Sequence, residues 1–96
     1  MPGYVIVEAE VQDEEVGLAY WKLAEPSIRR YGGRYLVAAV PEVREGEWQG
    51  RVVVLEFSDL DQARTWYDSP EYLAAREVRQ SGVKIRLIFA EGMAAG

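Results

Sequence analysis

The sequence predicts an α+β domain in which one antiparallel sheet of four strands carries two helices on one face. Segments of alternating polarity, such as YVIVEAEV and RVVVLEFS, are typical of strands, and stretches with apolar residues at helical spacing lie between them. With 96 residues, of which 49% are hydrophobic and 28% charged, the chain is predicted to form a single globular domain over residues 1–96. Its core is expected at about 4–91 and a flexible tail at 92–96.

The first strand and the first helix are predicted in the N-terminal third of the chain. Tyr4–Val11 alternates as a strand with one buried face does. Asp13 is a natural N-cap for the helix that follows. Pro26 is expected to kink or restart that helix, and a glycine of RYGGRYL is expected to end it, because glycine readily adopts the left-handed conformation.

The second and third strands are predicted at about residues 34–40 and 51–58. The turn-rich segment EVREGEWQG connects them. Trp48 lies at the tip of this segment, and we expect it to be exposed and to pack on a partner subunit.

A second helix is predicted after Ser58 or Asp59, and it is expected to break inside the stretch WYDSPEY. Ser69 is a good N-cap, and Pro70 suits the first turn of a helix, where a missing N–H is tolerated. The DSP segment should therefore end one helical segment and start another. The last strand, VKIRLIFAEG, follows Gly82.

This order of elements is the ferredoxin-like βαββαβ arrangement, which places the last strand beside the first and the third between the first and second. Alternation assigns the following residues to the face under the helices: Val5, Val7, Ala9, Tyr35, Val37, Val53, Leu55, Phe57, Ile85, Leu87 and Phe89. The other face mixes Ile, Leu and Val with Glu–Arg pairs, and the chain has no third helix to cover it. We therefore expect this face to be covered by something other than a helix of the same chain.

The residue types that the sequence lacks exclude several kinds of chemistry. Without Cys or His there is no thiolate nucleophile and no imidazole base, and neither a metal site nor a cofactor is predicted. The net charge of −5 opposes a nucleic-acid partner or an anionic membrane surface. No apolar run approaches the roughly 20 residues of a membrane-spanning helix, and we expect a cytoplasmic protein.

The segments RYGGRYL, RVVVLEF and above all ARTWYDSPEYLAAR resemble the domain-of-unknown-function 1330 family, within the dimeric α+β barrel superfamily. The resemblance covers roughly residues 4–91 and implies a homodimer in which two sheets face each other. Relatives in the superfamily include small-substrate isomerases, cofactor-free monooxygenases and haem-degrading enzymes, but this family has no settled activity. The haem-degrading branch uses a His and an Asn, and this chain has neither.

Glu56 and Arg34 are the candidate catalytic residues. Glu56 lies in the middle of a strand among apolar residues, and the topology puts Arg34 on the neighbouring strand and the same face. A buried carboxylate can have a raised pKa and act as a base, while the arginine could orient an anionic substrate. The alternative is a cross-strand ion pair that lines a dimer interface, like Glu8 with Arg86.

The candidate ligand-binding residues are Trp66, Tyr67, Tyr72 and Arg76, which surround and follow the predicted helix break. A bent helix could leave a cleft over the sheet, and aromatic walls with a cationic rim suit a small, largely apolar ligand. The two candidate catalytic residues would then supply polar contacts from the sheet. The alternative is that these aromatic rings are core and that the arginine pairs with surface acids.

The leading functional prediction is a homodimeric α+β barrel protein that binds a small organic molecule, aromatic or carboxylate. One alternative is a cofactor-independent isomerase or monooxygenase-like enzyme that uses Glu56 or a tyrosine for proton transfer. Another is a structural or regulatory dimer without a ligand. In each case the predicted macromolecular partner is a second copy of the chain.

Overall fold

The computed structural model describes residues 1–94, and its helices and strands follow the predicted order. The elements are β1 (Gly3–Val11), α1 (Glu14–Arg30), β2 (Arg34–Ala39), β3 (Arg51–Phe57), α2 (Leu60–Tyr67), α3 (Pro70–Arg79) and β4 (Val83–Glu91). Within the predicted tail, residues 92–94 follow β4 outside any helix or strand, and residues 95 and 96 lie outside the described part of the chain. None of the helices within residues 1–94 has the length and apolar character that crossing a membrane requires.

The strands form one antiparallel sheet in the order β2-β3-β1-β4, which confirms the ferredoxin-like prediction. In the central strand β1, Val7 lies opposite Val53 on one side and opposite Leu87 on the other. The helices cover the face that carries Val7, here called the helix-side face, and the opposite face is called the open face. The largest side chains that are almost completely buried are Trp66, Tyr72, Phe57 and Val5.

Strand β2 departs from the predicted alternation at a bulge. Tyr35 lies opposite Leu55 and Val37 lies opposite Val54, so that Leu36 is an extra residue between the two pairs. Val37 therefore shares the open face with Val54, and its predicted place under the helices is wrong. The prediction failed because alternation is preserved only while two strands pair without an inserted residue.

The ends of α1 follow the predicted signals, and in its interior the restart predicted as one alternative at Pro26 is absent. The Asp13 carboxylate accepts hydrogen bonds from two main-chain N–H groups of the first turn at 3.0 and 3.3 Å. The helix continues through Pro26 to Arg30, so it does not restart at the proline. Gly32 follows the helix with a φ of 80°, the left-handed conformation that glycine adopts most readily.

The break between α2 and α3 is built as the sequence predicts. The Ser69 hydroxyl accepts a hydrogen bond from the Tyr72 N–H at 3.1 Å and donates one to the Trp66 carbonyl at 2.7 Å. Pro70 is the first residue of α3. The buried side chain of Ser69 therefore binds both the last turn of α2 and the first turn of α3.

Ser69→Ala is expected to lower the free energy of unfolding by about 1 kcal/mol, because the variant removes this cap. Pro70→Ala is the matched control and is expected to be nearly neutral, since most residues fit the first turn of a helix. Urea titrations followed by circular dichroism measure both changes. Equal and negligible effects would show that the break has another cause.

Candidate functional site

Trp66 and Tyr72 lie in the core between the helices and the sheet, where they are 1% and 0% exposed. The Trp66 ring stacks on Phe57 at a centroid distance of 5.3 Å, and its indole N–H donates to the Ser27 hydroxyl at 3.0 Å. The hydroxyls of Tyr72 and Tyr20 are hydrogen-bonded at 2.8 Å. The cavity that adjoins these rings measures about 10 Å³, far less than a small organic molecule needs.

Tyr67 and Arg76 form the outer edge of the same aromatic cluster. The Arg76 guanidinium lies 4.3 Å from the centroid of the Tyr67 ring, a cation–π distance. Arg79 donates a hydrogen bond to the Tyr72 hydroxyl at 3.2 Å, and burial raises the pKa of Tyr72. This phenol is therefore protonated at neutral pH. The ligand-binding role of the cluster stays a prediction, and the contacts found within it are those of a packed core.

Glu56 and Arg34 form a cross-strand ion pair on the open face. Arg34 Nη2 lies 2.6 Å and Arg34 Nε 2.8 Å from the same carboxylate oxygen, Oε1 of Glu56. The hydrogen bond from the guanidinium holds the pKa of the Glu56 carboxyl below its usual range, although partial burial acts in the opposite direction. The raised pKa that a catalytic base would have is therefore not found here, because the ion pair outweighs desolvation. The catalytic role of the pair stays a prediction.

The sheet separates the two predicted groups of site residues. Glu56 and Arg34 belong to the open face, whereas Trp66 and Tyr72 pack against the helix-side face. Within residues 1–94 the two groups therefore do not line one pocket. Alternation along the strands determines the face of each sheet residue, and a shared pocket would have to cross the strands themselves.

A second ion pair, between Glu8 and Arg86, lies on the open face, and the Glu8 carboxylate also binds the loop between β2 and β3. Glu8, which is 7% exposed, accepts hydrogen bonds from Arg86 Nε at 2.8 Å and Nη2 at 3.1 Å. It also accepts a hydrogen bond from the main-chain N–H of Gln49 at 3.2 Å. Arg86 is the main cause that lowers the pKa of the Glu8 carboxyl. The carboxylate is thus charged at neutral pH and holds both partners.

Gly50 brings the same loop against the edge of β1. A Cβ atom at this position would lie 2.1 Å from the carbonyl oxygen of Ala9, closer than any side chain permits. The loop backbone can therefore pass over β1 only with a glycine there. This close approach and the Glu8 contact fix the residues that precede Gly50, which include Trp48.

A cavity of about 650 Å³ lies between this loop, the end of β1 and the first turns of α1. Its walls include Leu18, Trp21, Val40, Val43, Trp48 and Arg51. A second cavity of about 380 Å³ shares Trp21 and Arg51 with the first and extends to Tyr35 and Glu25. Both lie at the side of α1, away from the helix break between α2 and α3.

The sequence analysis missed this cavity, although Trp48 gave a signal. Trp48 is half-buried rather than exposed, and its indole Nε1 is buried with no hydrogen-bond acceptor among residues 1–94. Trp21 lies on α1 and lines the same cavity. A tryptophan in a turn-rich loop indicates a packing contact, but the sequence does not identify the residues that it contacts. The expected packing of Trp48 on a partner subunit stays a prediction.

Residues 2–93 match the model of a family described as a domain of unknown function, DUF1330. The chain belongs to the DUF1330 family. No curated protein was found that matches this DUF1330 chain.

Solved structures of other proteins share the fold of the DUF1330 chain. A protein of unknown function from Rhodopseudomonas palustris is 19% identical with a TM-score of 0.77, and the match covers 98% of this chain and 84% of that one. A dimeric ferredoxin-like protein of unknown function from Thermobifida fusca is 20% identical, with a TM-score of 0.64 and coverage of 95% and 91%. SnoaB, a cofactor-independent oxygenase from Streptomyces nogalater, is 11% identical, with a TM-score of 0.67 and coverage of 98% and 95%. Identities this low establish the fold alone.

Proposed function

We propose that this DUF1330 protein is a homodimer that binds a small organic molecule in the cavity beside Trp21 and Trp48. The observation that carries the proposal is the cavity itself. Its volume of about 650 Å³ falls within the range of roughly 300–1,000 Å³ that is common for ligand sites. Two indole side chains and several aliphatic residues line it, which suits a ligand with an apolar or aromatic body.

The indole N–H of Trp48 supports the same proposal. A buried donor without an acceptor is unfavourable by about 1–3 kcal/mol, and such groups are rare in folded proteins. This donor belongs to a residue of the cavity wall and has no acceptor among the described residues. Nε1 itself is shielded from solvent, so a ligand oxygen would supply the missing acceptor once the indole turns toward the cavity.

Dimerisation is proposed to occur through the open face. Leu36, Val37 and Ile88 are 44%, 40% and 59% exposed, and Leu36 and Val37 lie at the bulge beside Val54. An apolar sheet face of this kind is typical of an interface, and two identical faces can pair about a twofold axis. The Thermobifida fusca protein of the same fold is described as dimeric.

Two groups that are candidates for proton transfer have pKa values shifted away from neutral pH. Burial raises the pKa of Tyr35, which lines the second cavity, to about 12, so its phenol is a donor rather than a base at neutral pH. The pKa of Glu56 is lowered by its ion pair. A cofactor-independent monooxygenase or isomerase remains the second candidate function, and the shared fold with SnoaB is the observation that supports it.

Isothermal titration calorimetry with naphthamide and naphthoate tests the proposal. At least one of these probes is expected to bind, and Trp48→Ala is expected to weaken that binding about tenfold or more, because the variant removes an aromatic wall. Leu73→Ala is the control, since Leu73 is an exposed apolar residue of α3 and does not line the cavity. The proposal is wrong if neither probe binds, or if Trp48→Ala and Leu73→Ala bind equally well.

A further inference from the structure

We infer that the ligand of this cavity is a small carboxylic acid, and that Arg51 binds its carboxylate while the indoles of Trp21 and Trp48 contact its apolar body. This inference rests on the proposed function and names the chemical class of the ligand at the same site. It follows from the position of Arg51, from the partners of the other charged residues nearby and from the hydrogen-bonding groups that line the two cavities.

Arg51 begins β3 and belongs to the helix-side face. It lies opposite Ala9 in the sheet, and Val53, two residues further along, lies opposite Val7 on the face under the helices. Because alternate side chains of a strand share a face, the Arg51 side chain leaves the sheet on the side of α1. It lines both cavities, as does Trp21, so these two residues mark the place where the cavities meet.

The Arg51 guanidinium has no carboxylate within 4.0 Å among residues 1–94. The arginines that do form ion pairs there are Arg29, Arg30, Arg34, Arg44, Arg64 and Arg86. Arg76 and Arg79 lie over tyrosine rings instead. Arg51 is therefore a cation at the cavity that has no ion-pair partner among residues 1–94.

Glu10 and Glu14 line the first cavity and Glu25 lines the second, but none of them forms an ion pair with Arg51 among residues 1–94. Glu25 forms an ion pair with Arg29 one turn further along α1. Glu10 follows Glu8 by two residues, which places it on the open face, and it lies opposite Lys84. Glu14 occupies the first turn of α1, where a carboxylate is stabilised by the N-terminal end of the helix.

The remaining polar side chains at the two cavities offer mainly hydrogen-bond donors. They are the guanidinium of Arg51, the indole N–H groups of Trp21 and Trp48 and the phenol of Tyr35, to which Gln49 adds an amide that both donates and accepts. A guanidinium presents two parallel N–H groups that match the two oxygens of a carboxylate. A ligand with a carboxylate and a further oxygen acceptor would satisfy these donors, whereas a cationic ligand would face Arg51 without compensation.

The test compares naphthoate with naphthamide, which has nearly the same shape and no charge. The unaltered protein is expected to bind naphthoate about tenfold more tightly than naphthamide, because only the carboxylate forms a charged pair with Arg51. Arg51→Gln is expected to abolish this preference while naphthamide binding persists. Arg44→Gln is the control: it removes one positive charge from the neighbouring loop, where Arg44 is already paired with Glu42, and should keep the preference.

The outcomes separate this inference from the proposed function. Equal binding of the two probes by the unaltered protein, or a preference that persists in Arg51→Gln, overturns the carboxylate assignment and leaves the cavity as a ligand site. Failure of both probes to bind overturns both. If Arg51→Gln does not fold, the salt dependence decides: naphthoate affinity is expected to fall as sodium chloride is raised, and an affinity that does not change overturns the inference.

Discussion

Trp66→Ala is expected to lower the free energy of unfolding by about 3–5 kcal/mol, which is enough to unfold many small domains. The side chain is 1% exposed, stacks on Phe57 and has a ring centroid 4.1 Å from that of Tyr72. Its removal would leave a large cavity in the core and would remove the hydrogen bond that the Ser27 hydroxyl accepts from the indole N–H at 3.0 Å. Urea titration followed by circular dichroism measures the change.

The matched control is Trp48→Ala, the same substitution at a half-buried position of the loop between β2 and β3. It is expected to cost less than half as much, because less of its surface is buried. If the two variants were equally destabilised, Trp66 would not have the structural role described. A Trp66→Phe variant that kept its stability but lost naphthoate binding would instead support the ligand role that the sequence predicts.

The parts of the fold that depend on local signals could be predicted from the sequence. Asp13 and Ser69 are caps whose partners lie two or three residues away, so a short segment contains all the necessary information. The strand order follows from the succession of elements. Val37 was misplaced because the bulge in β2 arises from pairing with β3, a contact that the local alternation does not encode.

The candidate site was predicted less well, because its features depend on contacts between distant residues. Helical spacing shows that Trp66 and Tyr72 share a face, but it does not distinguish the wall of a cleft from a filled core. Topology places Arg34 beside Glu56, yet the direction of the pKa shift depends on a hydrogen bond of 2.8 Å that spacing does not reveal. The cavity at Trp48 is bounded by the loop that passes Ala9 at Gly50, a contact between this loop and β1.

Val54→Lys is expected to convert a dimer of this protein to monomers. Val54 lies opposite Ile6 on one side and Val37 on the other, within the apolar part of the open face. If a second copy covers this face, the lysine charge would be buried among apolar side chains, which weakens the dimer by about 3 kcal/mol or more. In the monomer the same lysine can extend into water, so the variant is expected to remain folded.

Size-exclusion chromatography with light scattering at micromolar concentration measures the change, and circular dichroism confirms that the variant is folded. Leu73→Lys is the control, because it places the same charge on an exposed apolar residue of α3, on the other side of the molecule from the open face. This control should remain dimeric. A Val54→Lys protein that stayed dimeric would show that the chain associates through a different surface. A monomeric unaltered protein would remove the basis for the barrel, since two sheets must face each other to form it.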